Sequence, residues 1–250
     1  MTVMAKDHWT KADVLAFLAK GRWFGSLPAP LRETIIAESD ILPVRANSTL
    51  YKIGDDVDGL YATLDGDVRA YAYGDESERI FLRALGPGSW FGDAHLVDDY
   101  SKRTFEVSCI SPSTLVFLPA RAYRKITEAD PAAYKAFVQL LCIHMRHTVQ
   151  VLVEARSEAP RRSARALIRL ARAHGVSTGV GVRLQMNLSQ ADLASLVGVS
   201  RQYMNELIAR WEEDGLLRWN GKAQPVLNIE SLRELLSSLD KWIEDTEDWV

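Results

Sequence analysis

Three patterns predict an α+β chain: an antiparallel β-roll or jelly roll behind N-terminal helices, then a long helix, then a helix-turn-helix with a wing. Between Ile41 and Phe117, short apolar runs alternate with turn signals, and Gly54, Gly66, Gly74, Gly86, Gly88 and Gly92 stand at the punctuation points. After Pro131 an apolar stripe at helical spacing meets no glycine or proline before Pro160. Residues 189–211, SQADLASLVGVSRQYMNELIARW, read as helix, glycine turn and helix.

Val14, Leu15, Leu18, Leu31, Ile35 and Ile36 give residues 8–39 a helical pattern, broken by GSLPAP. In the β-region, Asp65-Gly66 between LYATL and VRAYAY is a hairpin signal. Asp130-Pro131 has the form of an N-cap followed by a first-turn proline. The stripe that follows runs through Phe137, Leu140, Leu141, His144, Thr148, Val151, Leu152 and Ala155. A helix of about twenty-eight residues, about 42 Å long, is predicted. Its apolar surplus points to a dimerisation helix; packing on its own β-domain is the alternative. Pro160 marks a hinge at Glu158–Arg162, after which SARALIRLARAHG is a further helix, and a short strand pair lies around VGVRLQMNL. The expected parts are 1–129 (helices and β-roll), 130–159 (long helix and hinge), 160–229 (winged helix-turn-helix) and 230–250. The last is an acidic amphipathic extension with a helix from about Ile229 to Trp242.

The 250 residues are 47% hydrophobic and 25% charged, the profile of a soluble globular chain. There is no run of eighteen apolar residues and no apolar signal region at the start, so no membrane partner is expected. Cys109 and Cys142 alone exclude a disulfide framework or a cysteine-ligated zinc site, and point to a reducing cytoplasm. The net charge of −3 is unevenly spread: residues 160–230 carry ten Lys/Arg against six Asp/Glu. That segment is the candidate for phosphate contact.

Within 189–211, Ser189 and Ser200 are N-cap candidates, and Leu193, Ala194, Val197, Met204, Leu207, Ile208 and Trp211 form the inner faces. Ser200, Arg201, Gln202, Asn205 and Glu206 are left at the start and outer side of the second helix. Arginine forks onto guanine, and Gln or Asn pairs with adenine, in a major groove. EEDGLLRWNGKAQPVLNI then reads as a turn and a two-stranded wing.

These segments resemble the CRP/FNR family of bacterial transcription regulators, from about Leu27 to Ile229. The resemblance rests on GDDVDGLYATLDGDVRAY (54–71), LGPGSWFGD (85–93), KRT (102–104) and LSQADLASLVGVSRQYMNELIARWEEDGLL (188–217). Against a member of the family the landmarks stay in register without gaps from Gly92 to Arg201. The resemblance implies a cyclic-nucleotide-binding-like β-roll with cyclic AMP as the candidate effector. It implies a homodimer on a near-palindromic double-stranded DNA site, with RNA polymerase as a candidate partner, and no catalysis. It places ligand contacts at Leu82, Phe91, Gly92, Asp93, Ala94, Arg103, Thr104, His144, Thr148 and Val149. It places DNA contacts at Ser189, Ser200, Arg201, Gln202, Asn205 and Glu206. In the cassette, Gly92 lets the backbone approach an anion, and Arg103 with Thr104 completes the cradle.

The departures from the family pattern are specific. Asp93 replaces glutamate, His95 a small residue, Phe105 a small residue after the Arg-Thr pair, His144 an arginine and Val149 a serine. In the family's Arg-Glu-x-x-x-Arg reading triad, Gln202 and Glu206 stand at the second and third places. The DNA site is therefore expected to differ from the familiar one. Arg103 has an alternative role, an ion pair with Asp93 or Asp98 that closes the pocket. Two rival functions remain. One is a ligand-independent DNA binder whose β-roll is a dimerisation scaffold. The other is a metal-dependent jelly-roll enzyme built on His95, His144 and His147, which can also act as a pH sensor. The N-terminal cysteine series of an iron–sulfur regulator is absent.

Overall fold

The computed structural model describes residues 8–75, 78–94, 96–97, 102–219 and 224–236. The chain divides into two compact units. One comprises Val3–Ala70 with Leu85–Thr148, and the other Tyr71–Ala84 with Val149–Asp248, the extreme terminal residues aside.

The first unit begins with α1 (Lys11–Leu18), α2 (Arg22–Ser26) and α3 (Ala29–Ala37). A capping box starts α1: the Thr10 hydroxyl accepts from the Asp13 N–H, and the Asp13 carboxylate accepts from the Thr10 N–H. The apolar faces of these helices meet an aromatic cluster in which Trp23, Phe24 and Trp90 stack or meet edge-on, with Phe137 beside Trp23. The Trp23 indole N–H donates to the Ala136 carbonyl at 2.8 Å, which satisfies a buried donor and ties the helices to the long helix.

Strands β1 (Asp40–Val44), β3 (Gly59–Asp65), β6 (Trp90–Phe91) and β8 (Ser113–Pro119) form one four-stranded sheet, in the order β1-β8-β3-β6. Asp40 lies opposite Phe117 in the β1/β8 ladder, and Tyr61 opposite Phe117 in β3/β8. Strands β2 (Ser48–Tyr51), β4 (Val68–Tyr73), β5 (Arg79–Ala84) and β7 (Glu106–Cys109) form a second, in the order β2-β7-β4-β5. Tyr61, Phe91 and Leu115 of the first sheet share a buried core with Tyr51, Val68, Val107 and Cys109 of the second. This is the expected β-roll, with one local correction. Asp65-Gly66 does not close a hairpin, because β3 pairs with β8 and β6 while β4 lies between β7 and β5. The chain changes sheet there. Gly66 has φ +105, and a Cβ on it would lie 2.2 Å from the Ser113 hydroxyl, so a close crossing requires glycine.

Helix α4 (Ala120–Ala129) leads into α5 (Pro131–Glu154). Asp130 Oδ1 accepts from the Ala132 N–H at 2.8 Å, and Pro131 opens α5 where no intrahelical donor is needed. Helix α5 has 24 residues, about 36 Å, shorter than the predicted helix. The chain turns at Ala155–Ser157, and Pro160 lies in the first turn of α6 (Ala159–His174) instead of breaking α5. The stripe on α5 is also divided. Ala133, Ala136, Phe137 and Leu140 are buried, whereas Met145, Val149, Val151, Leu152 and Val153 are exposed. By length and composition alone α5 could cross a bilayer; His144, Arg146 and His147 interrupt it.

In the second unit, α6 is followed by β9 (Gly175–Thr178), β10 (Gly181–Leu184), α7 (Gln190–Val197), α8 (Arg201–Glu213), β11 (Leu217–Arg218), β12 (Val226–Leu227) and α9 (Ile229–Leu236). The four strands make one sheet, in the order β11-β12-β10-β9, so the wing pairs with the hairpin after α6. The extension beyond Leu236 lies outside the described residues.

Candidate functional site

The second unit presents a helix-turn-helix built from local rules. Ser189 and Asp192 form a capping box at the start of α7. Gly198 ends α7 in the left-handed region, φ 74 and ψ 49, where a side chain would be strained. The Ser200 hydroxyl caps α8 by accepting from the Tyr203 N–H at 3.1 Å. Leu193, Ala194, Val197, Met204, Leu207, Ile208 and Trp211 are buried, so the two helices share one apolar seam. Ser189, Ser200, Arg201, Gln202, Asn205 and Glu206 are all exposed. Gln202 Nε2 donates to Glu206 Oε1 at 3.1 Å along this outer face. The Ser189 and Ser200 hydroxyls also serve as helix caps. Ser195 on α7 accepts from the Phe81 N–H at 3.0 Å, a contact from β5 that no local sequence pattern signals.

The cassette lies in the first unit. Gly92 adopts φ +91, and a Cβ there would lie 2.9 Å from Arg103 Nη1. Arg103 is 2% exposed. Its Nη1 donates to the Gly92 carbonyl at 3.2 Å, and its Nη2 donates to the Gly59 carbonyl at 2.7 Å and to Asp58 Oδ1 at 2.5 Å. The expected ion pair is thus made with Asp58, not with Asp93; Asp98 lies outside the described residues. The Arg103 guanidinium sits 4.2 Å from the centre of the Tyr51 ring, a cation–π contact. The Tyr61 hydroxyl donates to the second Asp58 oxygen at 2.5 Å. Burial, and for Tyr61 also the Asp58 carboxylate, holds both phenols neutral well above the usual tyrosine range. Arg103 Nε and the Tyr51 hydroxyl are buried with no hydrogen-bond partner among the described residues.

Asp93 faces α5. His144 Nδ1 lies 2.9 Å from both of its carboxylate oxygens. Phe91 is buried and stacks on Tyr61 at 5.5 Å, Ala94 is half-buried, and Phe105 packs beside Tyr51 at 6.0 Å. The structure therefore gathers Phe91, Gly92, Asp93, Arg103 and His144. Leu82, Thr104, Thr148 and Val149 are exposed, and the Thr148 hydroxyl donates to the His144 carbonyl at 3.0 Å. Sequence reasoning misses Asp58, Tyr51 and Tyr61. Asp58 and Tyr61 lie inside the GDDVDGLYATLDGDVRAY stretch, but nothing local links them to Arg103, 44 residues or so away in the chain. Of the three histidines, His95 lies outside the described residues, and no group of three or more His, Cys, Asp or Glu side chains among those described is arranged to hold a metal.

Residues 41–130 match the cyclic nucleotide-binding domain family, and residues 161–235 match the Crp-like helix-turn-helix domain family. A β-roll followed by this helix-turn-helix is the architecture of a one-chain transcription regulator. The chain belongs to the CRP/FNR family of transcription regulators. It is 26% identical over 194 residues to the cAMP-activated global transcriptional regulator CRP of Haemophilus influenzae, covering 77% of this chain and 86% of that protein. It is 26% identical over 185 residues to the CRP-like cAMP-activated global transcriptional regulator of Mycobacterium tuberculosis, covering 74% and 82%. Among solved structures, FixK2 of Bradyrhizobium japonicum shares the fold with a TM-score of 0.68 at 18% identity, over 79% of this chain and 96% of that one. The c-di-GMP-responsive global regulator CLP of Xanthomonas campestris does so with a TM-score of 0.65 at 22% identity, over 80% and 99%.

Proposed function

We propose that the chain acts in the cytoplasm as a homodimer that binds a near-palindromic double-stranded DNA site under the control of a cyclic nucleotide in the β-roll, and that it has no catalytic activity of its own. The observation that carries the DNA reading is α8: one face buried in the unit's core, and the opposite face lined by exposed Arg201, Gln202, Asn205 and Glu206. Ser189 and Ser200 cap α7 and α8 at their exposed N-terminal ends, where the helix dipole favours an anion, and are the candidate phosphate contacts. RNA polymerase is the further partner such a regulator would engage.

Dimerisation is supported by α5. Val138, Cys142, Met145, Val149 and Leu152 follow alternating four- and three-residue steps, the spacing of a coiled-coil seam, and the last three are exposed. A second copy of α5 would bury them, each fully buried side chain contributing at most about 1.5–3 kcal/mol. It would also cover the helix face that carries Thr148 and Val149.

The effector reading is supported by Arg103 Nε and the Tyr51 hydroxyl, two buried donors without acceptors among the described residues. An unpaired buried donor costs about 1–3 kcal/mol, so an anionic oxygen there is favoured. Arg103 and the Gly92 backbone would hold the phosphate, with Phe91 and Ala94 beside them. Asp93 would accept a ribose hydroxyl in competition with His144, whose Nδ1 lies 2.9 Å from both of its oxygens. That exchange would pass from the cassette to α5, then to the turn at Arg156–Pro160, and so bias the paired recognition helices toward two major grooves about 34 Å apart. A ligand shifts this balance only by binding the two states unequally. Titration calorimetry with cyclic AMP and cyclic GMP, paired with DNA-binding isotherms, tests the reading. Heat of binding together with a change in DNA affinity is expected. DNA binding that ignores both nucleotides would instead favour the β-roll as a dimerisation scaffold.

A further inference from the structure

The outer face of α8 carries a detail that bears on which base it reads. Gln202 Nε2 donates to Glu206 Oε1, one helical turn on, at 3.1 Å, and both side chains are exposed. Such a surface pair adds little to helix stability. Its consequence is chemical. A primary amide has two N–H donors and one acceptor oxygen, whereas a carboxylate only accepts. With one N–H committed to Glu206, Gln202 offers outward one N–H beside Oε1. That pair complements the major-groove edge of adenine, where N7 accepts and the N6 amino group donates.

We propose that Gln202 and Glu206 form one reading unit for adenine. This rests on the DNA-binding reading of α8. Gln202 makes the bidentate contact. Glu206 is a positioning residue: it fixes the amide plane, and its remaining lone pairs tolerate only donor-bearing base edges nearby. Guanine presents N7 and O6 and thymine presents O4, all acceptors, so a carboxylate beside the amide rejects them. The same negative charge lowers attraction to phosphates in general, so Glu206 trades overall affinity for discrimination.

The test is selection of bound sequences from random double-stranded DNA by the full-length protein, with and without cyclic AMP, followed by titration of single-base variants. The wild type is expected to enrich adenine at one position in each half-site, and replacing it is expected to weaken binding about five- to hundred-fold. Gln202→Ala removes the preference at that position alone. Glu206→Ala broadens it to admit guanine and tightens binding to random DNA. Glu206→Gln keeps an acceptor for Gln202 but loses the charge, so adenine stays preferred while random-DNA binding rises. Guanine, thymine or cytosine at that position in the wild type overturns the proposal; cytosine would mean that Glu206 itself reads the base through its N4 amino group. So does a profile unchanged in Glu206→Ala, which would reduce the Gln202–Glu206 bond to a surface contact. A wild-type protein that enriches no sequence under either condition overturns the DNA-binding reading itself.

Discussion

In the cassette the polar groups turn inward, with Arg103 and Asp93 only 2% and 4% exposed, and each is held by residues from other elements. On α8 the corresponding groups turn outward, and the bonds that organise them run within one or two turns of the same helix. The first arrangement carries a desolvation cost that only cross-chain pairing offsets. The second is solvated, costs little, and leaves its chemistry free for a ligand as large as a duplex. Substitutions should therefore separate the two regions: cassette changes act on stability and effector response, and α8 changes act on DNA and leave folding alone.

The largest effect is expected from Arg103→Ala. It strands the Gly59 and Gly92 carbonyls and removes the ion pair with Asp58, which is itself half exposed. A loss of about 3 kcal/mol in urea unfolding is expected, along with the loss of nucleotide binding. A loss within about 0.5 kcal/mol would show that the buried network is dispensable. Gly92→Ala forces a side chain into φ +91 and against Arg103. It should cost about 1–3 kcal/mol and weaken effector binding, measured by unfolding and calorimetry on one preparation.

Arg201→Ala tests the other side of the comparison. Affinity for the selected site should fall by about 1–3 kcal/mol, with preference relaxed at one position per half-site and unfolding unchanged within about 0.5 kcal/mol. An equal loss on selected and random DNA would assign Arg201 to phosphate instead. The smallest effect is a pH dependence confined to the first unit. Desolvation pushes Tyr123 up to about 12 and holds Tyr51 and Tyr61 higher still. An unfolded phenol titrates near 10. Above about pH 10 the folded chain therefore retains protons that the unfolded chain has lost, so stability is full below that pH and declines above it. Unfolding followed from pH 8 to 11 checks the sign, and a rise in stability over that range would contradict it.

The helix-turn-helix is legible in the sequence because its determinants are neighbours. Ser189, Gly198 and Ser200 set its ends, and the apolar spacing from Leu193 to Trp211 sets its buried face. The β-roll is legible as a class, and Gly92, Asp93 and Arg103 stand out in its sequence as candidates for a ligand site. Their partners do not. Which strands pair, and that Asp65-Gly66 carries the chain between sheets, depends on contacts far apart in sequence, for which an alternating pattern offers many registers. The division of α5 into a half that serves the core and an exposed seam is likewise invisible to periodicity, which marks an apolar face without saying what covers it. By itself, the sequence determined the order of elements, the outward face of α8 and the caps that bound the helix pair, since helix hydrogen bonds and caps reach only three or four residues. Only the tertiary structure decided that Arg103 is held by Asp58 and Tyr51, and Asp93 by His144, because burial of charge is settled by whichever distant groups the fold brings within hydrogen-bond reach.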